Sequence, residues 1–195
     1  MILEILKTYQ KIVKMKTKTI ILLIFCVLFS FIGAKAQTYY YNTTQTFNEN
    51  GYAYQCDKAS YGLVTLYNKA NQYTYDSYEN KDGSPIGNYD DVLPFIEPDN
   101  WTRQKCLSIV NNAFSAEEKQ RVKGDKVDVS MTVDTSTGKV IEVDFCFYYT
   151  NPAATIPIST YRNLELALKS QIWFTLTDSG KKLKFVRMGW MHEIE

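Results

Sequence analysis

Residues 127–147 carry the pattern that most limits what this chain can fold into. Val127, Val129, Met131 and Val133 alternate with Asp128, Ser130, Thr132 and Asp134. After the turn residues Thr135–Gly138, Ile141, Val143, Phe145 and Phe147 alternate with Glu142, Asp144 and Cys146. Period-two alternation on both sides of a short turn predicts an antiparallel hairpin with one apolar face. That face must be covered, and the flanking sequence supplies two amphipathic helices. One spans Trp101 to about Phe114, capped by Asp99 or Asn100, with Cys106, Leu107, Val110, Ala113 and Phe114 on one face. The other starts after a cap at Ser159 or Thr160 and runs to about Ile172, with Leu164, Ala167, Leu168 and Ile172 inward. Ser115-Ala116-Glu117-Glu118 is a capping box for a short helix that ends near Gly124. A last strand covers Lys182–His192. Its alternation changes phase at Phe185-Val186, which calls for a bulge or for cover on both faces. The expected fold is α+β, an antiparallel sheet packed by helices.

The N-terminal half is less regular. Tyr39–Asn50 reads as polar and irregular. Tyr52–Asp57 and Gly62–Asn68 read as strands, and Tyr73–Tyr78 as a partner strand after a turn at residues 69–72. Together these make a Tyr-rich β-hairpin region. Asn80–Pro85 is a turn, and residues 86–99, with Pro94 and Pro98, are an extended connection.

Residues 15–36 have the three parts of a secretory signal peptide. Met15-Lys16-Thr17-Lys18 is a basic start, Ile20–Ile32 is apolar apart from Ser30, and Ala34-Lys35-Ala36 is a small-x-small cleavage signal. A spanning helix needs about 20 apolar residues, more than this run provides. Translation from Met15 would leave residues 1–14 outside the protein. The alternative is a basic amphipathic extension. The expected mature chain is residues 37–195, a single exported domain, periplasmic or secreted, with no integral membrane span after cleavage. It holds 16 basic and 20 acidic residues, net −4, without basic clusters. That balance argues against nucleic acid and anionic lipid surfaces as partners.

No set of residues points to catalysis, a cofactor or a metal. His192 is the single histidine and is expected to be polar surface near the end of the last strand. Glu142 and Asp144 form a carboxylate pair, but two acids on one strand face are expected to be solvated. Neither Asp82-Gly83 nor Asp134–Gly138 has calcium-loop spacing. Cys26 lies in the apolar run, and the cysteines of the expected mature chain, Cys56, Cys106 and Cys146, are too far apart for redox or zinc motifs, while their odd number leaves at least one free thiol. No disulfide framework is expected. Cys106 points inward, and Cys146 is expected to be the more exposed. Tyr73 and Tyr75, on one predicted strand face, could form a platform for sugar rings.

The order strand, strand, helix, strand from Val127 to Ile194 resembles the C-terminal domain of the TonB family. Gly124–Val133 with Gly138-Lys139-Val140 resembles that domain's first hairpin. Leu164-Glu165-Leu166-Ala167-Leu168 resembles its helix, Ile172-Trp173-Phe174 the exit, and Gly180-Lys181 the start of its last strand. The chain has no Pro-rich spacer, so an energy transducer is not implied. The resemblance implies a last strand at the sheet edge that takes up a peptide as an extra strand. A right-handed crossover from the second strand over the first gives the same placement; the alternative is that the N-terminal strands pair along this strand and complete the sheet. The reading is a non-enzymatic module that binds a cell-envelope protein or peptide through Lys184, Val186, Met188 and Trp190, without a cofactor. The alternative is glycan binding through Tyr73 and Tyr75.

Overall fold

The computed structural model describes residues 38–87 and 93–195, together with Met1 and Glu4; residues 15–36, read from the sequence as a signal peptide, lie outside the described residues. Thr38–Glu195 forms one compact unit. Its strands are β1 (Gln45–Glu49), β2 (Tyr52–Lys58), β3 (Leu63–Asn68), β4 (Lys126–Asp134), β5 (Val140–Tyr148) and β6 (Phe185–Glu193). Its helices are α1 (Thr102–Ala113), α2 (Ala116–Val122), α3 (Ile158–Gln171) and the short α4 (Asp178–Lys182), with a 3-10 turn at Pro152–Thr155. The fold is α+β. No described helix is long and apolar enough to cross a membrane.

All six strands form one sheet in the order β1-β2-β3-β5-β4-β6, with every neighbouring pair antiparallel. The alternating segments 127–133 and 141–147 form its centre, as their pattern predicts. Asp134 closes the turn between them by accepting from Ser136 N–H at 3.0 Å and Thr137 N–H at 2.7 Å. Gly138 is obligatory there. Its φ is +72°, and a Cβ would come within 2.0 Å of the Phe174 carbonyl oxygen.

Val127, Val129, Met131, Val133, Val143, Phe145 and Phe147 are all buried. α3 packs on β5, and α1 packs on α3. Leu164, Leu168 and Ile172 of the second helical segment are buried as expected, as are Cys106, Val110 and Phe114 of the first. The Ser115–Glu118 capping box is formed. Helix α3 starts two residues early, with Pro157 at its N-cap and no side-chain cap from Ser159 or Thr160. Proline's fixed φ suits a helix entry, so no hydroxyl cap is needed.

The N-terminal strands differ from expectation at both ends. Gln45–Glu49, read as irregular, is β1 and pairs with β2. Tyr73–Tyr78 is not a strand. Pairing instead runs β1-β2-β3 into β5, so residues 71–80 are left free to cross the open face of the sheet. Tyrosine's strand preference is outweighed here by side-chain and main-chain bonds to polar groups on that face.

One buried carboxylate ties the N-terminal strands to α3. Glu165 is fully buried and is bound by the Tyr54 hydroxyl, Arg162, Asn68 Nδ2 at 3.3 Å and Lys169 Nζ at 3.3 Å. Burial alone would raise its pKa. The Tyr54 and Arg162 hydrogen bonds outweigh that and lower it, so the carboxylate stays charged. Breaking such a buried pair costs about 3–5 kcal/mol. Arg162 is only partly buried, so Glu165→Ala should cost on the order of 3 kcal/mol in urea denaturation. A loss below about 1 kcal/mol, typical of a surface ion pair, would contradict this anchoring role.

Candidate functional site

β6 lies at the edge of the sheet, next to β4 alone. In an antiparallel ladder alternate residues aim both backbone groups away from the neighbour. Arg187 is one of them. Its N–H donates to the Tyr78 hydroxyl at 3.0 Å, and that hydroxyl donates to the Arg187 carbonyl at 3.2 Å. The same alternation turns the N–H and C=O of Gly189 and Met191 outward.

The first part of this edge is sealed. Asn80 pairs with Leu183, Lys184 N–H donates to the Glu79 carbonyl at 2.9 Å, and Lys81 N–H donates to that of Lys182 at 2.8 Å. Beyond Arg187, among the described residues, no further segment pairs with β6. Gly189 is exposed and Met191 is 67% exposed.

The open half of the edge borders a cavity of about 300 Å³ beneath the first turns of α1. Its apolar wall comes from Met131, Met188, Trp190, Cys106 and Phe174. Glu97, Asp99 and Arg103 stand at its polar rim. Asp99 accepts from the backbone of Trp101 and Thr102 at the start of α1, and from the Thr102 hydroxyl. The Thr102 bonds hold its carboxyl below the usual range. Such a space suits an apolar side chain entering between helix and sheet.

The predicted edge residues divide between these two zones. Met188 and Trp190 line the cavity. Val186 is buried, and Lys184 forms an ion pair with Glu79. The phase change at Phe185-Val186 comes from cover on both faces. Both residues are buried, and Tyr73 and Tyr78 lie against Phe185 with ring centroids 4.7 and 5.5 Å away. Tyr73 and Tyr75 do not share a strand. Tyr75 instead meets Tyr67 edge-on at 5.7 Å and donates to Asp57 at 2.8 Å. The cavity's other wall, Ile96–Asp99 and Phe174, was not read as a wall from the sequence, which marks Asp99 only as a helix cap and Phe174 only as a helix exit; an apolar Phe95-Ile96 between two prolines was the signal for it.

His192 is 2% exposed and faces the helices rather than solvent. Its Nε2 lies 3.0 Å from Asn111 Oδ1, and Trp190 Nε1 donates to its Nδ1 at 3.4 Å. Burial lowers its pKa. Among the described residues, Cys56, Cys106 and Cys146 are free. Burial first of all pushes the thiol of each up to about 11. Cys146 is the most exposed of them, consistent with its place on the open face.

Glu142 and Asp144 are also buried, at 6% and 7% exposure, because residues 71–78 cross the face they occupy. Glu142 accepts from the backbone N–H of Gln72 and, at 3.0 Å, of Tyr73. Arg187 donates to the carbonyls of Tyr73 and Thr74. Burial pushes Asp144 up to about 6 against the pull of Arg187. Its folded pKa thus lies above the unfolded value near 3.9. The group favours folding fully below about pH 4, and that contribution is lost as pH rises through about 6. Asp144→Asn should therefore gain on the order of 2 kcal/mol over wild type between pH 4 and 7.5 in urea denaturation. An offset that does not change with pH would show that Asp144 ionises normally.

The sequence profile of a domain of unknown function, DUF5043, matches residues 37–190. The crystal structure of a DUF5043 family protein from Bacteroides uniformis ATCC 8492, at 1.85 Å resolution, is similar at TM-score 0.74 and 35% identity. The similarity covers 81% of this chain and 89% of that one. No functionally curated protein matches the chain. These findings show no link to TonB. The profile match spans β1 through Trp190 of β6, the cavity-lining residues included, and the chain belongs to the DUF5043 family.

Proposed function

We propose that the protein is an exported, non-enzymatic module that binds an extended peptide segment of a cell-envelope protein as a seventh strand on β6. The observation that carries this reading is the continuity of two surfaces. Outward N–H and C=O groups at Gly189 and Met191 run directly beside the cavity walled by Met188 and Trp190. Main-chain pairing supplies affinity in strand addition, and a pocket for an alternate side chain supplies selectivity. The favoured occupant is an uncharged stretch with one apolar side chain, placed opposite Met188 or Trp190 and so directed into the cavity. The basic start, apolar run and Ala-x-Ala signal within residues 15–36 support export. Protein recovered from the host envelope should accordingly have the mass of a chain that begins at Gln37.

The binding test begins with a phage-displayed random peptide library selected on the wild-type protein. Gly189→Pro removes an outward N–H and leaves the β4 ladder its donors. Met188→Asp puts a charge into the cavity. Each should weaken the most enriched peptide at least about tenfold, the loss expected from about one hydrogen bond or one buried apolar contact. Cooperative unfolding of both variants checks that they fold. Undiminished binding by the two folded variants would contradict the proposal.

A further inference from the structure

We infer that Tyr78 fixes where the binding edge ends and so sets the length and register of the segment it accepts. This inference rests on the strand-addition reading above. The Tyr78 hydroxyl accepts from Arg187 N–H and donates to Arg187 C=O, the two bonds that a neighbouring strand would otherwise make there. The ring is clamped between Phe185 and Phe95, with centroids 5.5 Å from each. On one side of it the backbone is tied down through Glu142 and Arg187, on the other through the Asn80–Leu183 bridge. A segment approaching β6 can therefore pair at Gly189 and Met191. At Arg187 it meets a hydroxyl already bonded to both ladder groups, and beyond that the residues 79–81 that seal the edge. The accepted segment must end, or turn away, at the Arg187 side. Outward groups recur every second residue, so removal of the whole Tyr78 side chain opens one more pairing position.

Two variants of the full protein test this. Tyr78→Phe keeps the ring packing and deletes only the oxygen, and Tyr78→Ala removes the ring from the edge as well. Single-residue amide exchange is the readout, with the peptide most enriched by the wild-type protein as the probe. Without peptide, the Arg187 amide should exchange about tenfold faster in both variants, the equivalent of one lost hydrogen bond. The Val186 and Met188 amides, which face β4, should keep their protection. Saturating peptide should slow Gly189 and Met191 in wild type and in both variants, and should slow Arg187 as well in Tyr78→Ala alone. Unchanged Arg187 exchange in free Tyr78→Phe would overturn the inference, as would a bound peptide that leaves Arg187 of Tyr78→Ala exchanging freely. Loss of protection at Val186 and Met188 would also overturn it, by showing that the hydroxyl secures the strand rather than plugging its edge. A probe that protects neither Gly189 nor Met191 in any of the three proteins would overturn strand addition itself, and this inference with it.

Discussion

The connection from β5 to β6 determines where the molecule can be approached. β4 is antiparallel to both of these strands, so β5 and β6 run parallel, and the chain needs a crossover to get from one to the other. α3 lies within that connection and packs on the sheet. β6 is thereby delivered to the far side of β4, while the face of β5 away from β4 is taken by β3. The N-terminal meander cannot also cover β6, because it is committed to the other end of the sheet. Glu165 and its four partners hold it there. An edge strand is left, and the chain manages it by sealing one half.

The seal is built from polar groups that look surplus in isolation. Glu142, Asp144, Asp57 and Arg187 all lie on the sheet face opposite the helices, where residues 71–78 cross. Glu142 and Arg187 hold the backbone of that segment, and Asp57 accepts the Tyr67 and Tyr75 hydroxyls. Burying acids is unfavourable unless they are bonded, and the rise of Asp144 to about 6 is the sign of that tension. The same segment runs through Tyr78 into residues 79–81, which pair with Lys182–Lys184 just ahead of β6. One stretch of chain thus covers the polar face and closes half of the edge.

The elements that could be read from the sequence are those whose pattern is local. The β4–β5 alternation, the apolar faces of α1 and α3, and the Ser115 capping box each follow from residues a few positions apart. The edge position of β6 was also legible, because connection rules restrict where a third strand can go. The burial of His192, Glu142 and Asp144 was not. Their partners lie 81, 70 and 43 positions away, in Asn111, Gln72 and Arg187, and no periodicity encodes such pairings. Tyr73–Tyr78 misled for a related reason. Its composition favours a strand, but its backbone and hydroxyls are held instead by Glu142, Arg187 and Asp57 on the sheet face. Of the four residues read as binding, Met188 and Trp190 line the cavity, while Lys184 and Val186 are occupied by the seal and the core.

The central claim is that β6 is closed up to Arg187 and open beyond it. Amide hydrogen exchange resolved along β6 in the unliganded wild-type protein tests it most directly. The account predicts slow exchange at Arg187, where Tyr78 accepts its N–H, and exchange near the unprotected rate at Gly189 and Met191. Protection at Gly189 and Met191 equal to that at Arg187 would mean that the edge is already occupied, and would contradict the account.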